Sequence, residues 1–337
     1  MRNLLPICFC CLLAPQAAKT QEITVLPGYD AAIEWQESLN WWGEELRGEQ
    51  LQAPRTLLVA ISPRWRENAP QMPVAMKKEF FYRALLPLVA HANSLVLDRR
   101  GKLTRLDEEL AKGRSPTAEE VEALQRLAVV LRIRKPEEAA AVADTGEWRE
   151  IIAEALYRLD VIPAGLPLGQ AAYESGYGTS RFTVEGNALF GQWSFGGEGL
   201  APQRQRKELG NYGIAAFEWP FDSVRGYFLN LSSHPAYADF RRIRAELKAA
   251  GKPVTSLALA DGLLKYSERG QEYVDTLKGI IRTNHFDLAD NVTQRDEPLG
   301  FAFGVADEDT AQMARARIEE MRKSGELEEI VARMRLD

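Results

Sequence analysis

Cysteine is almost missing from this 337-residue chain: there are three, Cys8, Cys10 and Cys11, all ahead of Leu12. They fall inside MRNLLPICFCCLLAPQAA, which has one arginine, a short apolar run and small residues before Lys19. That pattern predicts a secretory leader, too short to span a bilayer, with cleavage after about Ala18. A lipoprotein reading through Cys8 or Cys11 fits poorly, because the flanking residues are large. The exported chain would hold no thiol and use no disulfide, although its compartment permits them. Histidine is equally scarce, with three in the chain. There is no H-E-x-x-H, no Cys/His cluster and no phosphate-binding glycine loop, so no metal and no nucleotide cofactor is expected. Positive charge is short as well: 42 Lys and Arg against 48 Asp and Glu leave a net charge of -6, and losing Arg2 with the leader lowers it further. An acidic chain has no electrostatic route to nucleic acid. After the leader no stretch reads as long and apolar enough to cross a membrane, so the expectation is a soluble, non-transmembrane product, periplasmic or secreted.

What the chain does have is 45% apolar residues, enough for a proper core. Its most informative stretch is 166–195, LPLGQAAYESGYGTSRFTVEGNALFGQWSF. Leu168, Ala171, Ala172 and Ser175 fall at helical spacing, Pro167 is tolerable in a first turn, and Gly176 and Gly178 stop the helix. Glu174 is thereby set at the C-terminal end of a helix whose alanines allow close packing, and no other acid lies between Asp160 and Glu185. There the helix dipole opposes its charge and partial burial pushes the same way, so its proton is retained. A general acid for glycosidic cleavage needs that property. Around it lie Arg181, Asn187, Gln192 and four aromatics, Tyr177, Phe182, Phe190 and Trp193, in a glycine-punctuated loop. Spacing alone leaves two readings, a solvated helix-end acid and a catalytic one.

AAYESGYGTSRF followed by EGNALFGQWSF resembles the glucosaminidase domain of glycoside hydrolase family 73, most closely its bacterial Bax-like branch. The resemblance implies a mostly α, α+β lysozyme-like fold: a helical catalytic domain with a small β-lobe, preceded by a helical N-terminal region. It makes Glu174, the acid of the A-x-x-E-S-x-x-G-x-S block, the catalytic acid, and N-x-L-F-G at 187–191 the second signature. It runs from about 56 to 288, taking in KKEFFYRALLPLVAHANSLVLDRRGKLTRL, where Phe80, Leu85, Leu86, Val89, Ala92, Leu95 and Leu97 make a broad apolar helical face. Later blocks also resemble the family: S-V-x-x-Y at 223–227, H-P-x-Y at 234–237, and a closing Y-S-x-R-G at 266–270 with Tyr273.

By that resemblance the substrate is the glycan strand of peptidoglycan and the bond is the β-1,4 link on the GlcNAc side. Phe190, Gln192, Trp193 and Tyr266 would form the sugar-binding wall with Tyr273 nearby, while Asn187 and Arg181 would hold the loop through backbone hydrogen bonds. Charge would not draw an acidic chain to an anionic wall, so binding would rest on stacking and hydrogen bonds. His234 has no acid partner at helical spacing and reads as a structural hydrogen-bonding residue.

The sequence departs from the family at the second acid, which members often carry on the β-lobe about four residues before the aromatic equivalent to Phe217. That count lands on Gly213. Glu208 is the nearest substitute and Glu198 a poorer one, while Glu218 would point away on a strand of period two. Each also reads as a surface acid. A substrate-assisted route, with the N-acetyl group attacking, or a water positioned without a strong base is therefore favoured over an inverting scheme with a base. The β-lobe itself is expected as a hairpin at 200–220 around Gly210 and Asn211.

The chain thus divides into a leader (1–18), a helical N-terminal region (19–145), a glucosaminidase domain (146–289) and a charged helical tail (290–337) broken at Ser324 and Gly325. Two helices flanking Pro136 are expected in the second of these, and Trp41 and Trp42 read as core or interface anchors. Two competing functions stay open: a muramidase or lytic transglycosylase, which uses one Glu in a similar block, and a non-catalytic wall-binding scaffold.

Overall fold

Short polar side chains set several helix starts here. Ser62, Ser180 and Thr255 each accept a backbone N–H from the first turn that follows them. Asp144 accepts two, and Thr117 forms a capping box with Glu120. The computed structural model describes residues 23–43, 51–195, 199–201, 212–304 and 308–325. Among them the helices are α1 (Tyr29–Ser38), α2 (Pro63–Asn68), α3 (Val74–Ala111), α4 (Ala118–Val130), α5 (Pro136–Ala140), α6 (Thr145–Arg158), α7 (Gly165–Ser175), α8 (Arg181–Gly186), α9 (Pro220–Ser233), α10 (Ala238–Ala249), α11 (Ser256–Leu259), α12 (Gln271–Thr283) and α13 (Glu308–Ser324). The strands are β1 (Ile23–Leu26), β2 (Gln52–Ala53), β3 (Thr56–Leu58), β4 (Trp193–Phe195), β5 (Tyr212–Ile214), β6 (Thr293–Gln294) and β7 (Gly300–Gly304). The protein is mostly helical with a small β part, as the sequence predicts.

Helix α3 ties two apolar cores together. Its first half, from Phe81 to Ala92, packs with α7, α9 and α12 in the larger core. Its second half contributes Leu103 and Leu110 to a smaller core shared with α4 and α6. Of the apolar face expected on α3, Leu97 instead lies exposed, at the passage between the two. Pro136 opens α5 at a position where its missing N–H costs nothing. By length and composition α3 is the one described helix able to cross a membrane, which corrects the expectation that no such stretch follows the leader; most of its apolar window is buried inside the protein. Asn93 on α3 pins the approach to the next core helix: its amide donates to the Ile162 carbonyl at 2.8 Å and accepts the Ile162 N–H at 2.9 Å.

The strands depart further from the sequence reading. β7, near the C-terminal end, lies between β1 and β3 in a parallel three-stranded sheet, with Ile23 opposite Phe301 and Leu57 opposite the same residue on the other side. β2 pairs with β6, also parallel. Parallel strands need a crossover, and here it is nearly the whole chain. The β-lobe is an antiparallel pair of β4 and β5, Trp193 opposite Ile214. The partner of 212–214 is thus the strand before the glycines at 196, 197 and 199, and among the described residues of the expected hairpin Leu200 bridges to it. Gly210 and Asn211, the leader 1–18, and the end of the tail lie outside the described residues.

Candidate active site

Helix α7 is held by contacts that only glycine permits. A Cβ on Gly169 would lie 2.7 Å from Ile281 of α12, and one on Gly165 would lie 2.8 Å from the Phe286 carbonyl. Leu166, Leu168, Ala171 and Ala172 are all buried, so the helix runs through the core. At its start the Asp290 carboxylate accepts the N–H of Gly165 at 3.0 Å and that of Ser256, the first residue of α11, at 2.8 Å. At its end Gly176, Tyr177 and Gly178 all take positive φ, reversing the chain. Tyr177 tolerates this because Trp65 Nε1 donates to its carbonyl at 3.0 Å and Phe81 packs its edge on the ring.

Glu174 therefore sits on the last turn, half-buried, with the rest of the helix behind it. Its Oε1 accepts the Tyr273 hydroxyl at 3.0 Å. Burial pushes the carboxyl above the ordinary carboxylate range, and the Tyr273 bond partly opposes that. Its Oε2 lies toward Gly191, where a Cβ would come 3.4 Å away and where φ is +60°. Behind Tyr273 the chain of contacts continues: Gln170 Nε2 donates to the Tyr273 oxygen at 2.9 Å, and Tyr227 donates to Gln170 Oε1 at 2.6 Å. Tyr266 stacks on Tyr273 with centroids 5.5 Å apart, and Tyr173 packs edge-on from the other side. Burial, and then the nearby carboxylate, raise the Tyr273 phenol, and burial likewise raises those of Tyr266 and Tyr237. These tyrosines are neutral donors, not bases.

The residues expected to form the sugar wall are placed unevenly. Tyr273 touches Glu174, and Tyr266 lies one ring away with its hydroxyl donating to the Phe190 carbonyl at 2.9 Å. Trp193 is 48% exposed on β4, two residues beyond Gly191. Phe190 does not: its ring is buried and stacked on Tyr227 at 4.2 Å, so it fastens the loop to α9 instead of facing a sugar. Gln192 also turns to α9, accepting the Ser223 hydroxyl at 3.3 Å. Both contacts anchor to α9 the loop that sets Gly191 beside Glu174 Oε2. Glu208 and Glu198 lie outside the described residues, and Glu218 is exposed.

Asn187 and Arg181 do hold the loop. Asn187 donates to the carbonyls of Phe217 at 3.1 Å and Glu218 at 3.0 Å and accepts the Ile61 N–H, while Arg181 reaches the Ala201 carbonyl at 2.6 Å. His234 caps the 3-10 turn Pro235–Tyr237 through Nδ1, with burial lowering its pKa. Among the described residues no group of His, Cys, Asp or Glu is placed to hold a metal ion. An apolar cavity of 190 Å³ whose lining includes Trp35, Trp41 and Trp65 does not have Glu174 in its wall; Trp65 and Phe81, which also line it, contact Tyr177 at the end of α7.

Sequence reasoning passed over Gln170, Tyr227, Ser223 and Gly191. Gln170 was visible as the residue one turn before Glu174 on the same helical face. Ser223 and Tyr227 are the fixed positions of the S-V-x-x-Y block: Ser223 accepts the Leu189 N–H at 3.0 Å and Tyr227 reaches Gln170.

Residues 150–286 match the family model for mannosyl-glycoprotein endo-beta-N-acetylglucosaminidase. Protein bax of Escherichia coli (strain K12) is 30% identical over 210 residues, covering 62% of this chain and 70% of that protein. No solved structure matches.

Proposed function

Since this chain belongs to the Bax-like family of glucosaminidase-domain proteins, glycosidases that act on glycans, we propose that it hydrolyses the glycan strands of peptidoglycan with Glu174 as general acid. The observation that carries the reading is the Glu174 carboxyl itself, half-buried at a helix end, raised by burial and steadied by one neutral phenol. A carboxyl in that setting keeps its proton to a pH where a solvated one has lost it, and can deliver it to a glycosidic oxygen.

The bond is the β-1,4 link on the GlcNAc side. As Glu174 protonates the leaving oxygen, positive charge grows on the sugar ring, and the exposed face of Trp193 offers a stacking surface for a neighbouring sugar. Among the described residues the hydrogen bond to the Glu174 side chain comes from Tyr273, burial is what raises its pKa, and the count for a second acid lands on Gly213. A substrate-assisted route fits this best: the N-acetyl oxygen attacks the anomeric carbon as the bond to the leaving oxygen breaks, and water then opens the resulting ring. Export through the leader at 1–18 would place the enzyme with its substrate.

Zymography on peptidoglycan with wild type and Glu174→Gln tests the assignment. The variant should lose about 10²- to 10⁴-fold of the activity, the share a positioned acid supplies. Equal clearing by both proteins, or by neither, overturns it. Mass spectrometry of the fragments should show reducing GlcNAc ends; 1,6-anhydro-muramic ends would instead establish a lytic transglycosylase.

A further inference from the structure

Glu174 has two oxygens, and only one can carry the proton that a general acid delivers. We propose that Gln170 and Tyr227 are positioning residues that keep this proton on Oε2, the oxygen beside Gly191, by fixing the direction of a buried hydrogen-bond chain that ends on Oε1. The inference rests on the reading of Glu174 as the acid and adds which atom of it donates.

The direction follows from what each group can give. Tyr227 is wholly buried and its hydroxyl meets Gln170 Oε1 at 2.6 Å, the one acceptor it has among the described residues. Gln170 is wholly buried as well, and an amide accepts on one side and donates on the other. With Oε1 occupied by Tyr227, the Nε2 side must face Tyr273, and it donates to that oxygen at 2.9 Å. The single Tyr273 proton is then directed at Glu174 Oε1, 3.0 Å away. Turning the amide over would leave the Tyr227 proton facing an NH2 group and take the donor from Glu174.

In a protonated carboxyl the carbonyl oxygen is the better acceptor, so the oxygen that receives Tyr273 is the carbonyl and the acid proton belongs on the other. That other oxygen lies by Gly191, whose missing side chain leaves it uncovered on that side. Among the described residues the titratable groups facing the carboxyl are Tyr273 on α12, Tyr266 just before α12 and Tyr237 before α10, all neutral phenols. None competes for the acid proton as a base.

Infrared difference spectroscopy of the protonated carboxyl stretch, assigned by its loss in Glu174→Gln, reads the arrangement directly. In the wild type the band should sit at the lowered wavenumber of a carbonyl that accepts a hydrogen bond. In Tyr227→Phe, which keeps the ring packed on Phe190, it should move to higher wavenumber, and kcat on peptidoglycan should fall about tenfold to a hundredfold with KM little changed. Should that variant fail to fold, Gln170→Glu gives the same reading: its carboxylate accepts from both tyrosines, drawing the Tyr273 proton away from Glu174. A folded variant with unmoved band and unmoved kcat, even one with a lowered Tm, overturns the proposal. If Glu174→Gln retains activity the acid assignment fails separately, and the band still reports where the proton lies.

Discussion

At the scale of single residues, one buried phenol tunes the acid. The Tyr273 hydroxyl donates to Glu174 Oε1 and so favours the carboxylate, against the burial that favours the acid. Tyr273→Phe removes the opposing influence, so the carboxyl pKa should rise further. A general acid works only while protonated, and the alkaline limb of the kcat/KM profile should therefore move to higher pH in the variant, with a lower maximum. A limb that moves to lower pH would mean that Tyr273 does not act on Glu174 as a donor. Glu174 and its helix end were legible in the sequence because acid, glycine and small residues are local signals. Phe190 was misplaced for a matching reason: its side chain is apolar whether it faces a sugar or Tyr227, and only packing distinguishes the two.

Among elements, α7 is positioned at both ends by polar contacts from distant segments. Its start depends on Asp290, which bonds the first N–H groups of α7 and α11 together. Burial pushes Asp290 up to about 6, outweighing the two backbone bonds that favour its charge. A carboxyl raised in the folded state stabilises while it is protonated, and that contribution is lost as pH climbs through the folded pKa. Thermal stability should thus decline between about pH 4 and pH 6 and level off above, and Asp290→Asn should flatten that slope. A slope of the same size in the variant would assign it to another group. The β4–β5 pair was anticipated as a small lobe, but its register was not, because three-residue strands carry too little alternation to identify a partner.

For the molecule as a whole, the last described strand completes the first. β7 lies between β1 and β3, and its Phe301 is buried against Trp219, the residue that precedes α9 and the S-V-x-x-Y block. Strand β7, beyond the glucosaminidase match, therefore packs against the segment that leads into α9. Phe301→Ala should cost about 3–5 kcal/mol, read as a lowered urea midpoint, the usual loss for a buried phenylalanine. A change below about 1 kcal/mol would show that the sheet is peripheral.

By itself the sequence determined the helices, the family and the place of Glu174 at a helix end, since caps, apolar periodicity and the A-x-x-E-S-x-x-G block are written within a few neighbouring residues. Tertiary structure alone decided the pairing of β1 and β3 with β7 and the chain from Tyr227 through Gln170 and Tyr273 to Glu174. Contacts between residues so far apart in the chain leave no periodic trace, because they depend on how whole helices pack and not on what any one segment prefers.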